Sequence, residues 1–101
     1  MDDTAFLPAV DLAALVRAGT ASAREVVEAA LRRIEALDVP LNAFVEVDGD
    51  RAVAAAEEME PRDGRPFAGV PIAIKANVPV EGLCMDMGSR FLAGHRPDHT
   101  A

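Results

Sequence analysis

Glycine and proline recur at Pro79, Gly82, Gly88, Gly94 and Pro97, and this spacing limits the C-terminal part of the chain more than any other feature of the sequence. Proline brings no amide hydrogen to a helix interior, and glycine loses the most backbone freedom when ordered. Residues 76 to 101 are therefore expected to be loops around one short helix.

The N-terminal part reads differently. Asp11 is placed to cap a helix over Leu12 to Ala18, with Leu12, Leu15 and Val16 on one side and Gly19 ending it in the left-handed conformation. Ser22 and Glu25, three apart, form a capping-box pattern, after which Val27, Leu31 and Ile34 recur at helical spacing opposite a polar face of Arg24, Glu28, Arg32 and Glu35. This second helix is expected to run to about Leu37, with Pro40 blocking further turns. A third helix is expected from near Asp48 or Asp50, with an alanine- and glutamate-rich body from Ala52 to Met59, stopped by Pro61 and by a turn at Asp63-Gly64.

Two segments carry strand character. Ala43-Phe44-Val45-Glu46-Val47 alternates in part, and Val70-Pro71-Ile72-Ala73-Ile74 is an apolar run rich in β-branched residues, as in a strand buried on both faces. Pro71 confines itself to the first residues of such a strand or to a sheet edge.

The formal charge is -7, so a polyanion such as nucleic acid is repelled, and no basic patch offsets this. Residues 1 to 63 hold fourteen acids against six bases, whereas residues 64 to 101 hold three acids against four bases, which places chemistry that favours near-neutral surroundings in the second part. Met1-Asp2-Asp3 is acidic where a secretory leader is basic, and no apolar run approaches the roughly 20 residues that span a bilayer, so a cytoplasmic protein with no membrane association is expected. The single cysteine, Cys84, has no intrachain partner for a disulfide, consistent with that compartment.

Lys75 directly follows the second apolar run and has no acid beside it in sequence. A desolvated lysine gives up its proton more readily and can serve as a general base, although a lysine at a strand end more often extends its ammonium to water. The surrounding residues are Gly69-Val70-Pro71-Ile72-Ala73-Ile74-Lys75-Ala76-Asn77-Val78, then Glu81-Gly82-Leu83, then Met87-Gly88-Ser89. This run resembles the start of the amidase signature family, whose members read Gly, Val or Ile, Pro, a few apolar residues, Lys, Asp, Asn. The helical stretch Ser22 to Ile34 and the following Leu41-Asn42-Ala43-Phe44-Val45 resemble the family's N-terminal helix and first strand.

The resemblance implies an α/β fold, the N-terminal part of an α/β/α sandwich with a mixed central sheet. Residues 1–101 would be the N-terminal fragment of a single amidase domain, with 1–63 a mainly helical lead-in holding one strand and 64–101 a strand and loops carrying Lys75. The tail from Phe91 to Ala101 has no pattern to close a folding unit, which agrees with one end of a larger enzyme. The family's chemistry is cleavage of a C–N amide bond through a Ser-Ser-Lys triad. In it a neutral lysine, here Lys75, helps deprotonate a bridging serine that activates the nucleophilic serine, and backbone amides stabilise the oxyanion. The substrate is a small-molecule amide, and no metal or organic cofactor is implied.

Only two serines are present, Ser22 and Ser89, and neither lies in a glycine-serine-rich stretch, so the chain holds one third of that triad and is expected to be inactive alone. Asn77, Met85, Asp86, Met87, Gly88 and Ser89 are expected to line the site or to lie behind Lys75. Two positions depart from the family pattern: Ala76 stands where aspartate is usual, and Asp86 where threonine is usual. A carboxylate folded close to Lys75 would hold its ammonium charged and oppose a role as base. His95 and His99 are four apart, but Pro97 between them favours a solvated loop over a metal site. Two other readings compete: the glutaminase component of an aminoacyl-tRNA amidotransferase, and a noncatalytic α/β interaction module.

Overall fold

The computed structural model describes residues 2–60 and 63–101. Its α-helices are α1 (Ala9–Arg17), α2 (Ala23–Leu41) and α3 (Gly49–Glu57), with 3₁₀ turns at Asp2–Phe6 and Arg90–Leu92. The expectation of an α/β sandwich with a mixed central sheet is overturned, because among the described residues the regular structure is entirely helical. Both expected strands, 43–47 and 70–74, are irregular. A strand exists only where a second segment accepts and donates along its length, whereas side-chain pattern reports the preference of one segment alone. Ile72 is 77% exposed and Ile74 45%, so the apolar run is not buried on two faces.

The chain forms two compact units, one of residues Met1–Leu41 with Gly49–Pro71, the other of Asn42–Asp48 with Ile72–Ala101.

The first unit is built on α2. Its start follows the sequence: the Glu25 amide donates to Ser22 Oγ at 3.0 Å, and the Ser22 amide donates to Glu25 Oε1 at 3.2 Å, the reciprocal pair of a capping box. Its end does not, since the helix continues through Pro40 to Leu41. Proline removes one amide donor, and so close to the helix end that loss leaves few later turns to disturb. Asn42, at a φ of 50°, then turns the chain, a left-handed position that asparagine tolerates better than most residues.

Helix α1 begins at Ala9 rather than beyond a cap at Asp11. Pro8, with φ fixed at -58°, offers its carbonyl to the amides of Asp11 and Leu12 at 3.0 and 3.1 Å. Asp11 lies inside the first turn, where its charge complements the helix dipole. Gly19 ends α1 at a φ of 75°, and its amide reaches Val16 O at 3.0 Å while Thr20 N reaches Leu15 O at 3.0 Å, which is the Schellman arrangement.

The core gathers Val16 of α1, Ala21 of the connection that follows, Ala23, Val26 and Val27 at the start of α2, and Ala56 of α3, with Leu12, Leu31, Ala52, Val53 and Met59 packed around them. Each fully buried valine contributes about 1.5–3 kcal/mol relative to an exposed one. The C-terminal part of α2 lies outside this core, with Leu37, Val39 and Leu41 all exposed. Arg24 pairs with Glu28 at 2.8 Å along α2 and with Glu57 on α3, and both carboxylates raise the arginine pKa. Gly69 closes the unit. Its φ is 89°, and a Cβ there would lie 2.9 Å from Val16 Cγ1 and 3.2 Å from the Ala23 methyl, so the backbone packs directly on α1 and α2.

At the C-terminal end of α3 the expected stop at Pro61 lies outside the described residues. Asp63 and Arg65 beyond it form a tight turn: the Arg65 amide and Nε each donate to Asp63 Oδ1 at 2.9 Å, and Nη2 donates to Oδ2 at 2.7 Å. These bonds, first from the guanidinium and then from the amide, lower the Asp63 carboxyl to about 2.

Candidate functional site

The second unit carries every site residue expected from the sequence. It has no helix beyond one 3₁₀ turn, Arg90–Leu92, and it is held by backbone bonds between turns. Val78 N donates to Lys75 O at 3.0 Å and closes a turn over Lys75–Val78. Met87 N donates to Ala76 O at 3.1 Å and fastens residues 85–89 to that turn. Met85 N reaches His95 O at 2.9 Å, Gly82 N reaches Pro97 O at 3.0 Å, and Ala101 N reaches Pro79 O at 2.9 Å, so the tail is tied back to residues 79–85. Glu81 N adds a bond to Thr100 Oγ1 at 3.0 Å, and Pro97 is buried where these segments meet.

The turn at residues 86–89 is tightly specified. Ser89 N donates to Asp86 O at 2.8 Å, and the two residues between them, Met87 and Gly88, have φ of 53° and 72°. Left-handed geometry suits glycine, but it costs a methionine about 1–2 kcal/mol. The turn is supported from two sides, by the Met87 bond to Ala76 and by Gly88 N, which donates to Asp86 Oδ1 at 3.0 Å. The Asp86 carboxylate thus serves its own turn, and none of the ion pairs among the described residues joins it to Lys75. Ser89 Oγ accepts from Phe91 N at 3.2 Å and caps the 3₁₀ turn. Both serines therefore act as caps, Ser22 on α2 and Ser89 here.

Lys75 and Asn77 are exposed, Met87 and Gly88 are exposed, and Met85, Asp86 and Ser89 are half-buried. Lys75 lies on the wall of a groove of about 440 Å³. One side is formed by Ala43, Phe44, Val45, Glu46 and Asp48, a second by Ala73, Ile74, Lys75, Ala76 and Val78, and a third by Val80, Leu83 and Cys84. The groove is mainly apolar, with an amine and two carboxylates at its edge, a setting in which a small polar ligand could be oriented. Asn77, Met85, Asp86, Met87, Gly88 and Ser89 do not line it; they belong to the turn over Lys75–Val78 and to the segment bonded to it through Ala76.

Sequence reasoning missed one part of this site. Arg96 Nη1 donates to Glu46 Oε1 at 2.9 Å and to Gly82 O at 2.8 Å, while Nη2 lies 2.8 Å from Glu46 Oε2. Arg96 first, and the Cys84 amide in addition, lower the Glu46 pKa against the opposing effect of burial, and Glu46 raises that of Arg96. Fifty residues separate the pair, and no local signal in the sequence joins them. His99 Nδ1 lies 3.2 Å from Asp98 Oδ1 on an exposed loop, and among the described residues no three metal-ligating side chains come together.

The sequence model of the amidase family matches residues 25–101, which takes in most of the first unit and all of the second. The chain belongs to the amidase family. A glutamyl-tRNA(Gln) amidotransferase subunit from Salinispora arenicola is 41% identical, over 98% of this chain and 21% of the relative. Proteins of the same name from Streptomyces coelicolor and Chloroflexus aurantiacus are 38% and 41% identical, over 100% and 87% of this chain and 21% and 19% of their own lengths. The chain thus spans about a fifth of the length of the curated relatives it matches. No solved structure matches it. Among the described residues, no helix is long and apolar enough to cross a membrane.

Proposed function

We propose that this chain is the lysine-bearing N-terminal part of an amide hydrolase, with Lys75 the base of a Ser-Ser-Lys triad whose serines lie in further sequence of the same domain. The observation that carries this reading is the family match across the run Gly69 to Val78. The roles of both serines here agree with it, since Ser22 and Ser89 are each engaged as helix caps. In the reaction, a serine oxygen bonds to the amide carbon as its proton passes through the bridging serine toward Lys75. The C–N bond breaks with the nitrogen taking a proton, and water then hydrolyses the acyl-serine.

The names of the relatives favour the amidotransferase reading, in which the amide cleaved is that of glutamine. The complete enzyme would then release ammonia from the glutamine side chain for a partner protein that amidates glutamyl-tRNA, with tRNA contacts made outside this acidic segment. The noncatalytic reading has less support, because Lys75 lines a groove of a size that admits a small amide.

The test is ammonia release from L-glutamine by the full-length enzyme, with Lys75→Ala and Lys75→Arg beside the wild type. Both variants are expected to lose about 10²–10⁴-fold in turnover, the arginine because a guanidinium does not give up its proton near neutral pH. Full turnover in either variant, with the fold intact by circular dichroism, would remove Lys75 from the mechanism.

A further inference from the structure

The site's most connected side chains are not those beside Lys75 in sequence. Glu46 and Arg96 meet in a two-pronged ion pair, and Arg96 also takes in the Gly82 carbonyl. Glu46 belongs to one wall of the Lys75 groove and Cys84 to another, while Gly82 sits one residue before Leu83 of that second wall. No helix or sheet ladder holds these walls together. Their backbone is irregular, and Val45 and Val47 are exposed on either side of Glu46. The Glu46 side chain retains 25% exposure, so water competes only in part for its carboxylate. Paired, charge-assisted bonds of fixed fork geometry are the kind that hold two loops in register.

We propose that Arg96 and Glu46 are positioning residues of the Lys75 site, a clasp that holds residues 43–48 against residues 82–84 and so sets the width of the groove in which the substrate amide is held. The clasp does not touch the reacting atoms. Its effect is on how well substrate is held, and the inference rests on the reading of Lys75 given above.

The test uses the full-length enzyme and two independent readouts. In the first, steady-state ammonia release from L-glutamine is measured for Arg96→Ala, Glu46→Ala, the double variant and Arg96→Lys. Loss of the clasp is expected to raise KM about tenfold with kcat changed by less than about threefold, the size of effect that loss of bonds to a charged group produces. The double variant should be no worse than the poorer single variant, because both remove the same interaction. Arg96→Lys, which keeps the charge and one bond, should fall between wild type and Arg96→Ala. In the second, the rate at which a small thiol reagent labels Cys84 is followed by mass spectrometry of its peptide. Cys84 is half-buried on the groove wall, and opening the clasp should speed its labelling about tenfold.

Unchanged KM and unchanged Cys84 labelling in Arg96→Ala would overturn the clasp, as would strictly additive single variants. Faster labelling with no dependence of turnover on Lys75 would instead keep the clasp as a structural device and overturn the catalytic reading on which its function rests.

Discussion

The two units are held together by different physics. In the first, valines and alanines of α1, α2 and α3 exclude water from one core, and the polar bonds at its edge cap helices. In the second, none of the buried aliphatic side chains among the described residues is found, and single hydrogen bonds between turns, with the Arg96–Glu46 ion pair, hold the backbone. The first arrangement is insensitive to any one polar contact and sensitive to volume. The second has the reverse sensitivities, and it carries the residues expected to act on a substrate. A groove made of loops can be tuned by a few polar contacts, whereas a close-packed core cannot be adjusted locally.

The largest expected effect tests the volume sensitivity of the first unit. Gly69→Ala places a methyl 2.9 Å from Val16 Cγ1 at a backbone φ of 89°. Strain and overpacking together should destabilise the protein by about 2–4 kcal/mol, read from the midpoint of denaturant unfolding. A neutral result would mean that the segment from Phe67 to Val70 can leave the helices freely, and that Gly69 does not fasten the first unit.

A smaller effect separates the units directly. Val26 is 2% exposed, and Val26→Ala should cost about 2 kcal/mol through lost burial and the cavity left behind. Ile72 is 77% exposed in the apolar run that leads to Lys75, and Ile72→Ala should stay within about 0.5 kcal/mol. Equal costs at both sites would show that Ile72 is covered in the folded protein and that the contrast between the units fails there.

What can be read from the sequence divides along the same line. The Ser22–Glu25 box and the Gly19 stop are legible because each is a contact among residues a few positions apart, and each forms as expected. The start of α1 is not, because Pro8 begins a helix without a side-chain cap and Asp11 sits in the first turn instead. The end of α2 runs past its expected stop because a proline near a helix terminus removes little. The strands fail for a different reason: Val70 to Ile74 has the composition of a strand, but pairing depends on a neighbour that no local pattern specifies. Within the site, Lys75 stands out by its place after an apolar run, and the role proposed for it rests on resemblance. Glu46 and Arg96, joined only by the fold, leave no trace in the sequence.

The smallest effect is electrostatic, and it contrasts two carboxylates. Asp63 bonds to Arg65 two residues away, whereas Glu46 bonds to Arg96 fifty residues away. Both have folded pKa values below their ordinary ones, so each contributes stability that is complete above the ordinary carboxylate range and is lost as pH falls through the folded value. For Asp63 that window runs from 3.8 down to about 2. Its protonation should release only the local turn, and because the pair is exposed, salt should weaken even that effect. Protonation of Glu46 opens a contact between distant segments. On acid titration at moderate salt, the protection of the Gly82 and Met85 amides, taken relative to the intrinsic exchange rate at each pH, should therefore fall while Val26 and Val27 in α2 remain protected. Glu46→Gln should bring that loss of protection to neutral pH, and Asp63→Asn should leave its pH dependence in place. Simultaneous loss of protection in α2 and in residues 82–85 would mean that the two units unfold as one, and that the division between a packed core and a bonded loop assembly has no energetic counterpart.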